Sequence, residues 1–251
     1  MQSLAGTRLC ACYEQDVLGH RDLRTVETVD SPASPGSHVV VFDFDGTLVR
    51  RDSFFDFSLR YCLRRPERLL LVITLLPVAL LASLSSTGAG GSVLLWAMTV
   101  GSSTRCFALA LRSYARQTLP GYANPAIFAE LARHLREGSR VVIATGTMPI
   151  VVRTLLGTRQ VERLPIVGSR LRRRFGGLVA ETHCIGRVKV RELERRHGIV
   201  AWHSVYTDSF ADRALLRRAR DVHLVATSRR TLLRTRSLLG PDVSLCVRRA
   251  G

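Results

Sequence analysis

Val39-Val40-Val41-Phe42-Asp43-Phe44-Asp45-Gly46-Thr47 is the stretch on which the fold turns. Four apolar residues in a row, with no polar face and too short for a helix, fit a strand buried on both sides of a parallel sheet. Side chains at i and i+2 of a strand or its direct extension share a face, so Asp43 and Asp45 point into one site at the strand's carboxyl end. Two carboxylates there suit Mg²⁺, a hard cation that takes oxygen ligands and keeps waters. They equally suit a division of labour in which one attacks and the other moves protons. Gly46 lets the chain turn sharply and aim backbone N–H groups at an anion, and the Thr47 hydroxyl adds a donor. A surface Asp-Gly turn is the plain alternative for this pattern alone.

Working outward, Val141-Val142-Ile143-Ala144 repeats the buried-strand signature and is followed by Thr145-Gly146-Thr147, with Pro149 placed at a helix start. Leu164 to Gly168 reads as a third strand, and Phe175-Gly176-Gly177 as a turn. A polar helix near 187–197, a strand around Ser204-Val205-Tyr206, a helix over 210–219 and a strand at 222–226 complete the series. This alternation predicts an α/β, Rossmann-like parallel sheet with helices on both faces and its ligand at the carboxyl ends of the strands. Residues 38–51 and 136–228 form the expected core, 52–135 a helical cap inserted after the first strand, and 229–251 a basic C-terminal extension. Residues 1–37 end in Ser31-Pro32-Ala33-Ser34-Pro35-Gly36-Ser37, a linker composition expected to form a poorly ordered tail.

Three further fragments fall at successive strand ends. Thr145 and Gly146 lead into a helix, where a hydroxyl and free N–H groups grip phosphate oxygens. Lys189, in Gly186-Arg187-Val188-Lys189, stands at a helix start and would neutralise the same anion. Asp208 is followed four residues later by Asp212, which a shared helical face would bring to the same metal. Each has an ordinary reading, such as an N-cap for Thr145 or Asp208, but their order argues for one phosphate-and-metal site.

With those residues in view, the chain resembles the haloacid-dehalogenase-type phosphatases, whose four motifs are similar to Asp43-x-Asp45-Gly46-Thr47, Thr145, Lys189 and Asp208-Ser209-x-x-Asp212. The resemblance implies that Asp43 is a nucleophile forming an aspartyl-phosphate and that Asp45 is the general acid and then the general base. It also implies that Thr145 and Lys189 hold phosphate, and that Mg²⁺ is bound by Asp43, Asp208 and the backbone carbonyl of Asp45 with Asp212 in support. The phosphoserine-phosphatase-like branch with a first-position cap is the nearest group. Within it the chain is similar to the bacterial phosphatidylglycerophosphatase C enzymes, through Leu59-Arg60-Tyr61-Cys62-Leu63-Arg64-Arg65, the leucine run from Leu69 to Leu84, Ser92-Val93-Leu94-Leu95-Trp96 and Arg172-Arg173-Arg174-Phe175-Gly176-Gly177. The similarity runs from about Val39 to about Thr227. Position 209 is Ser where many of the branch have Gly, and Asp52 and Ser53 fall where a cap-proximal substrate contact would lie. A glutamate that reads the amino group of phosphoserine has no clear counterpart.

Composition bears on the substrate. The 251 residues carry 37 basic against 20 acidic side chains, a net charge of +17, and Lys189 is the single lysine among arginines. Arg and Lys do not interchange where a compact point charge is needed, which singles Lys189 out. The cysteines at 10, 12, 62, 106, 184 and 246 form no metal or disulfide framework, and a reducing compartment is expected. No signal-peptide pattern opens the chain. From Leu69 to Thr104 no residue is charged, and Leu69 to Leu84 is apolar all round. Such a segment calls for lipid or for complete burial. Sixteen residues span roughly 24 Å, short of the roughly 30 Å hydrocarbon slab, and a single crossing would split the sheet across the membrane. A hairpin entering and leaving on one side, or a shallow seat in one leaflet, is expected instead. Arg60, Arg64, Arg65, Arg68, Arg105, Arg112 and Arg116 flank the run on both ends, which predicts both ends on the cytoplasmic side. Together with the resemblance this implies a protein of the bacterial inner (cytoplasmic) membrane with its core on that side.

The expected reaction is Mg²⁺-dependent hydrolysis of an anionic phospholipid monoester, phosphatidylglycerophosphate to phosphatidylglycerol. Hydrolysis of a small soluble phosphomonoester such as phosphoserine is the alternative. A nucleic-acid partner is not expected, because the basic residues are scattered and lack an interleaved stacking platform or zinc ligand set.

Overall fold

The computed structural model describes residues 38–85, 87–157, 164–240 and 243–248. The tail expected over 1–37 lies outside the described residues. The chain first runs through β1 (Val39–Phe42), α1 (Ser53–Leu63), α2 (Pro66–Ser85), α3 (Thr87–Thr99), α4 (Thr104–Gln117), a 3₁₀ turn (Leu119–Tyr122) and α5 (Pro125–Arg136). It continues with β2 (Arg140–Ala144), α6 (Pro149–Leu156), β3 (Ile166–Val167), β4 (Arg170–Arg174), β5 (Gly177–Thr182) and α7 (Arg187–His197). It closes with β6 (Trp202–Thr207), a 3₁₀ turn (Phe210–Asp212), α8 (Arg213–Leu216), β7 (Ala219–Val225), α9 (Arg229–Leu238) and β8 (Ser244–Arg248).

Six strands form one parallel sheet in the order β3-β2-β1-β6-β7-β8, so β1 lies between β2 and β6. The pleat explains the continuous apolar runs. Val40, Phe42, Val141, Ile143 and Tyr206 face one core, and Val41, Val142, Ala144 and Val205 face the other. Every position of such a strand is buried, so alternation disappears from the sequence. The sheet is a Rossmann-like α/β core with flanking helices, and a helical cap follows β1.

Several boundaries differ from expectation. The stretch from 229, read as a basic extension, supplies α9 and the sixth strand, β8, whose register with β7 runs from Asp221↔Ser244 to Val225↔Arg248. Its half-exposed edge position tolerates the polar and basic residues that hid it. Helix α5, placed in the cap, buries Ile127 and Leu131 in the core, and its His134 Nε2 lies 3.1 Å from the Tyr206 hydroxyl of β6. The helix over 210–219 is a 3₁₀ turn plus one turn of α-helix, because β7 already begins at Ala219.

The uncharged segment folds into two helices. Helix α2 starts at Pro66, earlier than the leucine run, and its 20 residues give roughly 30 Å rather than 24. By length and composition it is the one helix among the described residues suited to crossing a membrane, with mean hydropathy 2.1. Ala79 is its buried residue, whereas Leu80, Leu81 and Leu84 are 63, 67 and 84% exposed. Helix α3 packs back along α2, and a Cβ at Gly90 would lie 1.9 Å from Ser83 Oγ, so glycine sets the close approach. The Arg68 guanidinium bonds the Val100 carbonyl, tying the start of α2 to the end of α3. The two helices therefore form a hairpin whose ends meet.

Two segments that the sequence offered separately come together beside that hairpin. Trp96 Nε1 donates to Phe175 O at 2.9 Å, Leu178 N–H donates to Thr99 Oγ1 at 2.8 Å, and Arg173 donates to Ser102 O at 2.9 Å. The β4–β5 ribbon thus clasps the carboxyl half of α3 and holds the cap over the sheet.

Candidate active site

Each strand end contributes one part. Asp43 extends β1, its N–H bonding Tyr206 O at 2.9 Å, and the carboxylate turns back so that Oδ1 accepts from Phe44 N–H at 2.8 Å. Lys189 lies in the first turn of α7, which starts behind Gly186, and is only 4% exposed. Its Nζ donates to Asp43 Oδ1 at 2.7 Å and to Asp212 Oδ2 at 2.8 Å. Asp212 Oδ2 also accepts from Thr207 Oγ1 at 3.0 Å, which fixes it at the end of β6. Burial works against the lysine's charge, but the two carboxylates outweigh it and push its pKa upward. Burial raises the Asp43 carboxyl well above the usual range, with Lys189 opposing and Asp212 adding to the rise.

Asp45 occupies the opposite wall. Its Oδ1 accepts from Ser53 N–H at 2.8 Å, at the amino end of α1, and Thr145 Oγ1 approaches its Oδ2 at 3.4 Å. Burial lifts this carboxyl to about 6, with the Ser53 bonds pulling the other way. Asp208, beyond β6, is likewise lifted to about 6 by burial. Gly46 sits at φ +76°, and a Cβ there would fall 2.2 Å from Asp208 Oδ2. Only glycine supplies both that dihedral and the space into which the Asp208 carboxylate fits.

The cleft these groups share is lined by Asp43, Asp45, Gly46, Asp52, Gly146, Lys189, Asp208 and Asp212 among others, and Arg50 and Arg51 stand at its rim. Asp52 also caps α1 through a 2.8 Å bond from Phe55 N–H. Two expected phosphate-holding hydroxyls sit behind this surface. Thr47 and Thr145 are fully buried, and Thr145 Oγ1 accepts from Thr147 N–H at 3.0 Å. Asp208 and Asp212 do not share a helical face, since a 3₁₀ turn separates them, and Asp212 reaches the site by bonding Lys189. Thr147, His183 and Ile185 line the cleft without having been anticipated. Thr147 adjoins the recognised Thr145-Gly146 pair, whereas nothing local marks His183, which a connection between β5 and α7 carries in.

The donor set fits Mg²⁺. Among the described residues no three His, Cys, Asp or Glu side chains gather as a ready cage, but Mg²⁺ is held by one or two carboxylates, substrate phosphate and waters. Burial raises the carboxyls of Asp43, Asp45 and Asp208, and a cation held beside them would favour their charged forms.

A parallel sheet with an acid pair at the end of its central strand, a lysine and a second acid pair across the cleft, and a cap after that strand define a class of hydrolase. The chain belongs to the haloacid dehalogenase-like hydrolase family, which matches residues 40–217. Its fold is that of the phosphoserine-phosphatase-like branch. A Bordetella pertussis Tohama I protein of unknown function is similar at a TM-score of 0.62 and 16% identity, over 84% of this chain and 99% of that one. A phosphoserine phosphohydrolase-like protein from Francisella tularensis subsp. tularensis SCHU S4 follows at 0.55 and 14%, over 78% and 92%. A phosphoserine phosphatase in its apo form gives 0.53 and 13%, over 86% and 95%.

Proposed function

We propose that the protein is a Mg²⁺-dependent phosphomonoester hydrolase that works through an aspartyl-phosphate on Asp43. The contact of Lys189 with Asp43 Oδ1 carries this reading. With Oδ1 held by Lys189 and Phe44 N–H, Oδ2 is the oxygen left to attack phosphorus. As the new O–P bond forms, the bond to the leaving alcohol breaks, and the protonated Asp45 carboxyl gives its proton to the departing oxygen. A pKa of about 6 keeps part of Asp45 in the acid form near neutrality. The resulting Asp45 carboxylate then takes a proton from water, whose oxygen attacks phosphorus and releases phosphate and the Asp43 carboxylate. Lys189 offsets charge on the transferring oxygens, and Asp212 positions Lys189. Asp43, Asp208 and the Asp45 carbonyl would hold Mg²⁺, with Asp212 in support; the ion would supply electrostatic stabilisation of the phosphoryl group.

The substrate divides two readings. The similar solved structures include proteins named as phosphoserine phosphatases, which supports a small soluble monoester and puts that reading ahead on likeness alone. The exposed leucines of α2 support a substrate taken from a membrane surface by a hairpin with both ends on the cytoplasmic side, such as a phospholipid monoester; the sequence resemblance is what points to phosphatidylglycerophosphate. The test is phosphate release from phosphatidylglycerophosphate, phosphoserine and p-nitrophenyl phosphate, with and without Mg²⁺, by the full chain and by Asp43→Asn. Mg²⁺-dependent turnover lost in Asp43→Asn is expected; turnover that survives the substitution would remove Asp43 as nucleophile.

A further inference from the structure

Five pieces of chain come together at one corner of the cap, away from the catalytic cleft. Gly88, at the start of α3, lies against His183 of the cleft wall, where a Cβ would stand 3.4 Å from Nδ1. The other end of that helix, at Thr99, is roughly 17 Å further on. There the β4–β5 tip is bonded to the chain just past α3, with Gly101 N–H donating to Gly176 O at 3.0 Å beside the bond from Trp96 to Phe175 O. The Arg68 guanidinium brings in the start of α2, just behind Leu63 and Arg64 at the end of α1. Ser103 caps the start of α4 at the same corner.

The tip of the ribbon is poorly chosen for its own stability. Arg174 pairs with Gly177 across the ribbon, leaving Phe175 and Gly176 as a two-residue connection with φ of +48° and +77°. Positive φ at both central positions makes a type I′ turn, whose first place favours Asn, Asp or Gly. Phe175 stands there instead, 79% exposed, the most exposed aromatic among the described residues. Its one ring contact among them is the Arg174 guanidinium, 5.0 Å from the centroid. An unfavourable dihedral with no packing to offset it points to a contact outside the chain.

The charge at this corner has one sign. Arg64, Arg105, Arg172 and Arg174 are exposed and have no carboxylate within ion-pair distance among the described residues. Between Asp56 and Glu130 the only acid is Glu67, which lies 3.9 Å from Arg68. Arg172 and Arg174, two apart on β4, share one face of the ribbon. Guanidinium forks bind phosphate oxygens in pairs, and an aromatic ring beside them suits the boundary between lipid headgroups and acyl chains. The exposed apolar side chains of α2 begin here as well, at Leu70.

We propose that this corner docks on the headgroups of an anionic lipid bilayer. Phe175 enters the headgroup–acyl boundary, and Arg64, Arg105, Arg172 and Arg174 take lipid phosphates. The proposal rests on the membrane-facing reading of α2 above and adds a contact that α2 does not supply. From Leu69 to its end α2 carries no charge, so that helix does not distinguish neutral from anionic lipid. The arginines of the corner add the preference for negative charge.

The experiment mixes the full-length protein with vesicles of phosphatidylcholine alone and of equal parts phosphatidylcholine and phosphatidylglycerol. Phe175→Trp reads depth, through quenching by lipids brominated near the top of the acyl chain, with Trp96 and Trp202 of the unsubstituted chain as background. Arg172→Gln with Arg174→Gln reads charge, through the ratio of partition coefficients on the two vesicles. All three positions are exposed, and thermal melts verify folding. Quenching of Phe175→Trp is expected at about twice the background or more on the anionic vesicles. The paired glutamines should lower the preference for phosphatidylglycerol by about tenfold or more. No binding of the unsubstituted chain to either vesicle overturns the corner and the membrane-facing reading together. Binding that Leu80→Lys with Leu84→Lys weakens, but with quenching of Phe175→Trp no greater than background or with an unmoved preference, overturns the corner and leaves α2. Self-association without lipid that Phe175→Asn abolishes would make the corner a contact between copies of the chain, which also overturns the proposal.

Discussion

Lys189 Nζ bridges Asp43 and Asp212, at 2.7 and 2.8 Å, joining the ends of β1, α7 and β6 through one buried ammonium. A compact charge that donates in two directions at once is what an ammonium supplies and a planar guanidinium does not. In a chain that otherwise uses arginine throughout, that geometry gives the lone lysine a physical reason.

Lys189→Arg is therefore expected to lower kcat/KM by a factor on the order of 10² or more, with the fold retained. Steady-state kinetics beside a far-UV spectrum would show it, and near-normal turnover would remove the point-charge role.

Lys189→Met leaves the buried Asp43 and Asp212 carboxylates facing each other without their cation, at a cost of about 3–5 kcal/mol at neutral pH. The Asp43 carboxyl is already raised, and losing the lysine raises it further. A carboxyl that binds protons more tightly when folded stabilises the fold as pH falls, so the deficit should shrink toward acid. Urea unfolding at pH 7.5 and pH 5 measures this; an equal deficit at both would contradict the assignment.

Gly46→Ala confronts two obstacles, a φ of +76° and a Cβ 2.2 Å from Asp208 Oδ2. The dihedral alone costs about 1–2 kcal/mol. Displacement of Asp208 should also weaken Mg²⁺ dependence, seen as a higher Mg²⁺ concentration for half-maximal turnover. An unchanged Mg²⁺ titration would place Asp208 outside the metal site.

Leu80→Lys with Leu84→Lys changes two side chains that are 63 and 84% exposed, so the melting temperature should stay close to that of the unsubstituted chain. Binding to vesicles containing phosphatidylglycerol should fall by about tenfold or more. If the doubly substituted chain still sediments with vesicles to the same extent, α2 is not the membrane-facing surface.

His223 offers a pH test away from the cleft. Burial and then Arg248 depress its pKa to about 4, against Asp221 and Glu130, which raise it, while His134 lowers it further. Its ring stacks on Tyr206 at 4.2 Å. The unfolded chain binds this proton from about 6.5 downward and the folded chain only near 4, so His223 removes stability as pH falls across that window. Asp45 and Asp208, raised to about 6, act in the opposite sense. His223→Gln should accordingly gain stability relative to the unsubstituted chain between pH 6.5 and 4, measured by urea midpoints. A parallel pH profile for both chains would exclude His223.

The parallel sheet was legible in the unbroken apolar runs Val39 to Phe42 and Val141 to Ala144, because a strand covered on both faces needs no polar side. The sequence by itself also marked the ends of those strands, where Asp43, Asp45 and Gly146 reach the cleft and Lys189 and Asp208 join them. Local spacing could not say that Asp212 reaches the site through Lys189 rather than a shared helical face, nor that Thr47 and Thr145 stand behind the surface that Thr147 lines. It also hid β8, whose edge position imposes little patterning, and the close approach of α3 to α2 at Gly90. Those features depend on which backbones approach one another across long stretches of chain, as β8 meets β7 and α7 meets the turn after β6, and only the tertiary packing settles that.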